Sequence, residues 1–209
     1  MKWTDYFGRI YLVNLDKRMD RLLASINQCL EYDIPFKRIS AIENEINGAI
    51  GLRDTMLLIF QDAIDNNYEN ILVLEDDFMF VENKETVDSA VSGAMKQLPE
   101  NYHILLLGCQ PTSGFQYRHS ANVLNLQKGY STHSVVYSKQ CIKEIMTRGM
   151  GYPIDNWLCD EIQVLGQTYC TYPFLCTQTP GVSNIGNQYI DWSAFMQPRY
   201  EQKLAEMPQ

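Results

Sequence analysis

The chain has 209 residues, 17 of them Lys or Arg and 25 Asp or Glu, for a formal net charge of −8; 45% are hydrophobic. That length and apolar content suit one globular domain with a sizeable core and exclude a disordered chain. The acidic balance excludes nucleic acid and anionic membrane as main partners, which need a cationic surface, but leaves room for a nucleotide whose phosphates are held through a metal on acidic residues.

Near the start, the apolar residues 10–15 are interrupted by Asn14 and followed by Asp16, too short and polar for a signal-peptide core. No run approaches the ~20 apolar residues of a membrane span. The six cysteines show no C-x-x-C pair and no zinc-finger spacing, so buried free thiols and a cytoplasmic location are expected.

Residues 10–15 read as a buried strand, and Leu22, Ile26, Cys29 and Leu30 as the face of a following helix. Residues 36–39 form a short strand after Pro35. Met56, Ile59, Phe60, Ala63 and Ile64 mark a second helix ended by Asn66-Asn67, before a strand over 71–74. Val87, Ala90, Val91, Ala94, Met95 and Leu98 mark a third, stopped by Pro99.

A strand over 103–107 follows, then a loop over 111–119 that is a candidate flexible lid. Strands over 121–126 and 130–137 are joined by a turn at Lys128-Gly129. Helix 138–148 starts on Ser138 and ends at Gly149. The last elements are a helix over 153–165, a strand over 169–176 and a helix over 191–207. This alternation predicts one α/β domain over residues 1–209, with a mixed, mainly parallel sheet flanked by helices.

The most informative stretch is the apolar strand that runs straight into Glu75-Asp76-Asp77. In an open α/β sheet, ligands bind beyond the carboxyl ends of the strands. Crowded carboxylates repel, at about 4 kcal/mol for two unit charges 4 Å apart at an effective dielectric of 20. A divalent cation relieves that cost and seats phosphate oxygens; the plain alternative is a solvated acidic loop. Arg18 and Arg21 are basic residues at a helix start, a position that favours anions. They suit a nucleotide diphosphate, or ion pairs with Asp16 or Asp20.

Residues 10–21, the Gly48-Ala-Ile-Gly51 element opening a helix, and Leu72-Val-Leu-Glu-Asp-Asp77 together resemble glycosyltransferase family 25. Looser matches are residues 129–137, Pro153-Ile-Asp155, and Pro173 through Gln178 to Ser183-Asn184-Ile185. The resemblance spans roughly residues 8–188. Family members commonly follow the glycine element with a Ser-His pair; here Thr55-Met56 stands in its place.

The resemblance implies a GT-A (nucleotide-diphospho-sugar transferase) fold, a UDP-sugar donor and Mn²⁺ or Mg²⁺. It also implies a galactose or glucose transferred to a hydroxyl of a glycan or glycoprotein acceptor. By that analogy Asp77 ligates the metal, with Glu75 nearer the ribose or a metal-bound water; His133 is a third ligand candidate, or a hydrogen-bonded core histidine. Leu12, Val13 and Asn14 line the nucleobase pocket, and Arg18, Arg21, Arg53, Glu75 and Asp76 contact the donor.

An inverting transfer needs a carboxylate to take the acceptor proton. Asp155 is the candidate, with Asp160 and Glu161 as close rivals and Asp191 a distant one; the alternative for Asp155 is a helix cap. A degenerate GT-A-like module that binds nucleotide or glycan without turnover is the other functional reading. P-loop and Rossmann signatures are absent.

Overall fold

The computed structural model describes residues 2–183 and 188–208. In β1 (Arg9–Asn14), successive side chains point to opposite faces, and both faces are covered. Ile10 and Leu12 enter one hydrophobic cluster, Tyr11 and Val13 the other. Helix α1 (Met19–Glu31) buries Leu22, Ser25 and Cys29. Leu30, expected on that face, is 70% exposed, because eight residues beyond Leu22 carry it about 80° around the helix, off the stripe.

Strand β2 (Lys37–Ser40) leads to α2 (Gly48–Asp65), capped by the Asn47 side chain, which accepts from the Ala49 N–H. Asn66 and Asn67 end α2, Asn67 at φ 56°. Strand β3 (Asn70–Glu75) carries the acids to its end and β4 (Phe78–Phe80) follows them. Helix α3 (Lys84–Gln97) stops before Pro99, and β5 (Ile104–Leu106) comes next.

Thr55, the residue that departs from the family pattern, pins α2 to the preceding loop. Its hydroxyl donates to the Gly51 carbonyl and accepts from the Ile42 N–H, both at 2.8 Å. Gly51 lies so close that an added Cβ falls 2.2 Å from the Ile42 carbonyl oxygen. Gly51→Ala is therefore expected to destabilise the fold by about 1–3 kcal/mol, read as a lower denaturant midpoint. An unchanged midpoint would refute the close-packing account.

The middle of the chain differs from expectation in three places. Residues 111–119 are no lid: β6 (Gln110–Arg118) is a strand paired antiparallel with β7 (Val123–Tyr130). Its Pro, Ser and Gly residues mark register shifts around Gly114 rather than a loop. Likewise β7 runs through Lys128-Gly129 without turning. The reversal comes at Ser131, at φ 85°, before β8 (Ser134–Ser138).

Helix α4 (Lys139–Arg148) starts on the Ser138 hydroxyl and ends at Gly149, as expected. The helix expected over 153–165 is instead α5 (Ile154–Trp157), a π turn (Leu158–Ile162) and a 3-10 turn (Gln163–Leu165). The strand expected over 169–176 is split at the cis Tyr172-Pro173 bond into β9 (Thr168–Thr171) and β10 (Cys176–Gln178). Strands β11 (Gly181–Val182) and β12 (Tyr189–Ile190) and helix α6 (Ser193–Ala205) complete the described chain.

The eight-stranded sheet has the order β2-β1-β3-β8-β5-β9-β7-β6. β1 runs parallel to β2 and β3, and β5 to β9. β8 opposes β3 and β5, and β7 opposes β9 and β6. Six strands thus point one way and two are reversed. Helices α1 and α3 cover one face, and α2, α4 and α6 the other. The result is an α/β fold with a mixed sheet between helical layers, and it brings the carboxyl ends of β1 and β3 to a common edge.

Candidate functional site

A cleft opens at that edge, walled by the end of β1, the loop before α2, the acids after β3 and the segment after β10. Asn14 is buried at its floor and organises it. Its amide nitrogen donates to Asp76 Oδ2 at 2.7 Å and to the Arg18 carbonyl at 3.0 Å, while its Oδ1 accepts from Arg38 at 2.9 Å. The three acids divide between two sets of partners: Asp76 and Asp77 share Arg21, while Glu75 points away from them.

Arg21, on the first turn of α1, reaches Asp76 Oδ1 at 3.1 Å and Asp77 Oδ2 at 3.2 Å through Nη1. Its Nη2 donates to the Val182 carbonyl at 2.9 Å. Gln178 Nε2 adds a bond to Asp77 Oδ2 at 3.2 Å, and the Ser25 hydroxyl donates to the Asp76 carbonyl. Burial raises the Asp76 carboxyl against the Asn14 hydrogen bond, and raises Asp77 against the Arg21 charge.

Glu75 turns the other way. Thr132 Oγ1 lies 2.6 Å from Glu75 Oε1 and 3.2 Å from Asp155 Oδ1. Asp155 also accepts from the Ser131 N–H at 2.8 Å. Burial, then the neighbouring Asp77 charge, pushes Glu75 up to about 8, and burial raises Asp155 as well. A hydroxyl has one proton to give. With Glu75 protonated, Glu75 donates to Thr132 and Thr132 donates to Asp155, so that each link of the chain holds one proton.

Val13, Asn14, Arg21, Glu75, Asp76 and Asp77 meet in the cleft wall. Leu12 faces away into the core at 0% exposure, its neighbour Val13 taking the cleft side. Arg18 ion-pairs with Asp20 and donates to the Val182 carbonyl at 3.3 Å, beside Arg21. Arg53 stands outside the cleft wall, paired with Asp54 and placed over the Tyr152 ring.

His133 is fully buried, with Nε2 3.2 Å from the Cys176 carbonyl oxygen, and burial lowers it to about 4. Asp160 and Glu161 are engaged in surface ion pairs with Lys128 and Arg148. Asp191 caps α6, accepting from the Ser193 hydroxyl and the Ala194 N–H. Ser183 lines the cleft; Asn184 and Ile185 lie outside the described residues.

The side chains of the cleft do not fit the Mn²⁺ or Mg²⁺ that the resemblance implies. Arg21 holds one oxygen of Asp76 and one of Asp77, Glu75 is turned to Thr132, and His133 is turned to a carbonyl. Among the described residues no group of three His, Cys, Asp or Glu side chains is arranged to hold a metal. Of the carboxylate oxygens of Asp76 and Asp77, Asp77 Oδ1 is the one buried without a hydrogen-bond partner among the described residues.

Thr132, Gln178 and Ser25 were not singled out from the sequence. Thr132 and Gln178 fall inside stretches of the family resemblance, but nothing in their spacing distinguishes them from their neighbours.

No protein-family model and no curated protein matches the sequence. Among solved structures, the chain is similar to A197 from STIV, with a TM-score of 0.51 at 13% identity, over 87% of this chain and 91% of that one. A mannose-1-phosphate geranyltransferase from Thermus thermophilus gives a TM-score of 0.49 at 8% identity, over 78% and 72% of the two chains. A glycosyltransferase involved in the glycosylation of the major capsid of PBCV-1 gives 0.49 at 12%, over 78% and 80%. At such identities likeness bears on the fold alone. The class so defined is an α/β fold with a mixed sheet flanked by helices, shared with A197. Among the described residues no helix is long and apolar enough to cross a membrane.

Proposed function

We propose that this chain, taken as one domain over residues 1–209, binds a nucleoside-diphosphate sugar as a GT-A-like nucleotide- and glycan-binding module. The observation that carries the reading is the convergence of Asn14, Arg21, Asp76 and Asp77 in one cleft beyond the carboxyl ends of β1 and β3. That is where open α/β sheets take their ligands. UDP is the favoured nucleotide, on the family 25 resemblance. Six buried free cysteines support a cytoplasmic location.

The test is thermal unfolding with UDP-, GDP-, CMP- and dTDP-sugars, each with Mn²⁺ and with EDTA. A ligand at 100 times its Kd stabilises by about 2.7 kcal/mol. Stabilisation by UDP-sugars alone is expected; no shift with any nucleotide would sink the reading.

A second reading, hexosyl transfer, is favoured by the Glu75–Thr132–Asp155 chain, which joins the cleft wall to a buried carboxylate. In that reaction the acceptor oxygen bonds to the anomeric carbon as its bond to the UDP phosphate oxygen breaks. UDP leaves with the electron pair, and the acceptor proton passes to a carboxylate, Asp155 in this reading. Inversion of the anomeric centre, galactose or glucose as the sugar, and a glycan or glycoprotein acceptor belong to this reading.

A further inference from the structure

We infer that Arg21 is the resident cation of the cleft, standing where a divalent metal is otherwise expected, so that a nucleoside diphosphate binds here without metal. The inference rests on the nucleotide reading for its ligand, and on contacts within the chain for the cation.

Three of the four carboxylate oxygens of Asp76 and Asp77 are already taken. Asp76 Oδ2 accepts from Asn14, Asp76 Oδ1 from Arg21, and Asp77 Oδ2 from both Arg21 and Gln178. Oxygen-ligated divalent ions need six or more ligands. To reach these two aspartates an ion must evict a guanidinium that is only 15% exposed and also bound to the Val182 carbonyl. Left in place beside it, the ion meets like charge at short range.

A guanidinium has five N–H donors, and Arg21 makes three contacts within the chain. The remaining donors suit phosphate oxygens, which arginine recognises well. Two further features point the same way. Arg18 meets Arg21 at the Val182 carbonyl, and both stand at the start of α1, whose dipole favours an anion.

The test uses the full chain and two independent titrations, of UDP by calorimetry in EDTA and in Mn²⁺, and of Mn²⁺ alone by its paramagnetic resonance. Wild type is expected to bind UDP with the same Kd, within about twofold, in EDTA and in Mn²⁺, and to leave Mn²⁺ free. Arg21→Met is expected to lose about tenfold or more in UDP affinity in EDTA and to gain a Mn²⁺ site. That site should vanish in the Arg21→Met/Asp77→Asn double variant.

If Arg21→Met does not fold, Arg21→Lys carries the test, since it keeps the charge and should still exclude Mn²⁺. Mn²⁺ uptake by wild type, with UDP binding only in its presence, would overturn the inference and leave the nucleotide reading standing. No UDP binding under either condition would remove the nucleotide reading and with it the metal-free diphosphate site. The Mn²⁺ titrations would then still decide whether Arg21 is the resident cation.

Discussion

Asp155→Asn is expected to leave nucleotide binding intact while slowing hexosyl transfer by about 10²–10⁴-fold, the usual worth of a general base. Asparagine keeps the shape of the side chain, and its single oxygen can still accept from the Ser131 N–H while its NH₂ faces the Thr132 hydroxyl, which can accept from it. What it loses is the ability to take a proton. Because Asp155 reaches the cleft through Thr132 and Glu75, Glu75→Gln in parallel shows which carboxyl receives the acceptor proton. Steady-state turnover beside a calorimetric UDP titration separates loss of chemistry from loss of binding. Wild-type turnover in Asp155→Asn would exclude it as the base, and the surface ion pairs of Asp160 and Glu161 make those residues poor substitutes.

Conformational stability is expected to fall as pH rises from 6.5 to about 8, by about 2 kcal/mol, and Glu75→Gln is expected to reduce the fall. Glu75 titrates near 4.5 in the unfolded chain and at about 8 in the folded one. Between those values the folded state holds one proton more, so stability declines by about 1.4 kcal/mol per pH unit. His133 acts in the opposite sense. Burial holds it neutral down to about 4 against an ordinary 6.5, so between those values the unfolded state holds the extra proton and stability rises with pH.

Between about 4.5 and 6.5 these two slopes oppose each other, with burial of His103 acting in the same sense as His133; above 6.5 the histidine contributions are complete and the Glu75 loss continues. Asp76, Asp77 and Asp155, raised by burial, add to the loss in the same direction from their ordinary value near 3.8 upward. Urea unfolding at a series of pH values measures the profile. A flat or rising limb between 6.5 and 8 in wild type would show that Glu75 is ionised in the folded protein.

Much of this architecture was legible because single strands and helices announce themselves locally. The run of apolar residues ending in Glu75-Asp76-Asp77 marked both β3 and the cleft; Ser138 marked a helix start through its hydroxyl, and Gly149 and Asn66-Asn67 marked helix ends through the backbone shapes they tolerate. What stayed hidden depends on neighbours distant in sequence. Strand β6 was masked by Pro111 and Gly114, which the sheet tolerates by shifting register. The Arg21 bridge to Asp76 and Asp77 joins residues 55 and 56 positions apart, and no local pattern reports which cation a buried carboxylate will find. Thr132 was invisible for the same reason: a threonine after a strand has no signature until two carboxyls are seen on either side of it. Thr55, which departs from the family pattern, proved to be a pin between α2 and the loop beside the cleft.

The two rims of the large sheet bear on how the protein behaves when crowded. One rim is β2, only four residues long, with Lys37 and Arg38 exposed along it; the other is β6, longer but broken in register at three points. A second chain trying to extend the sheet would meet charge and a short ladder on one side, and a kinked, irregular backbone on the other. Both ends of the eight-stranded sheet are therefore poor templates for edge-to-edge pairing.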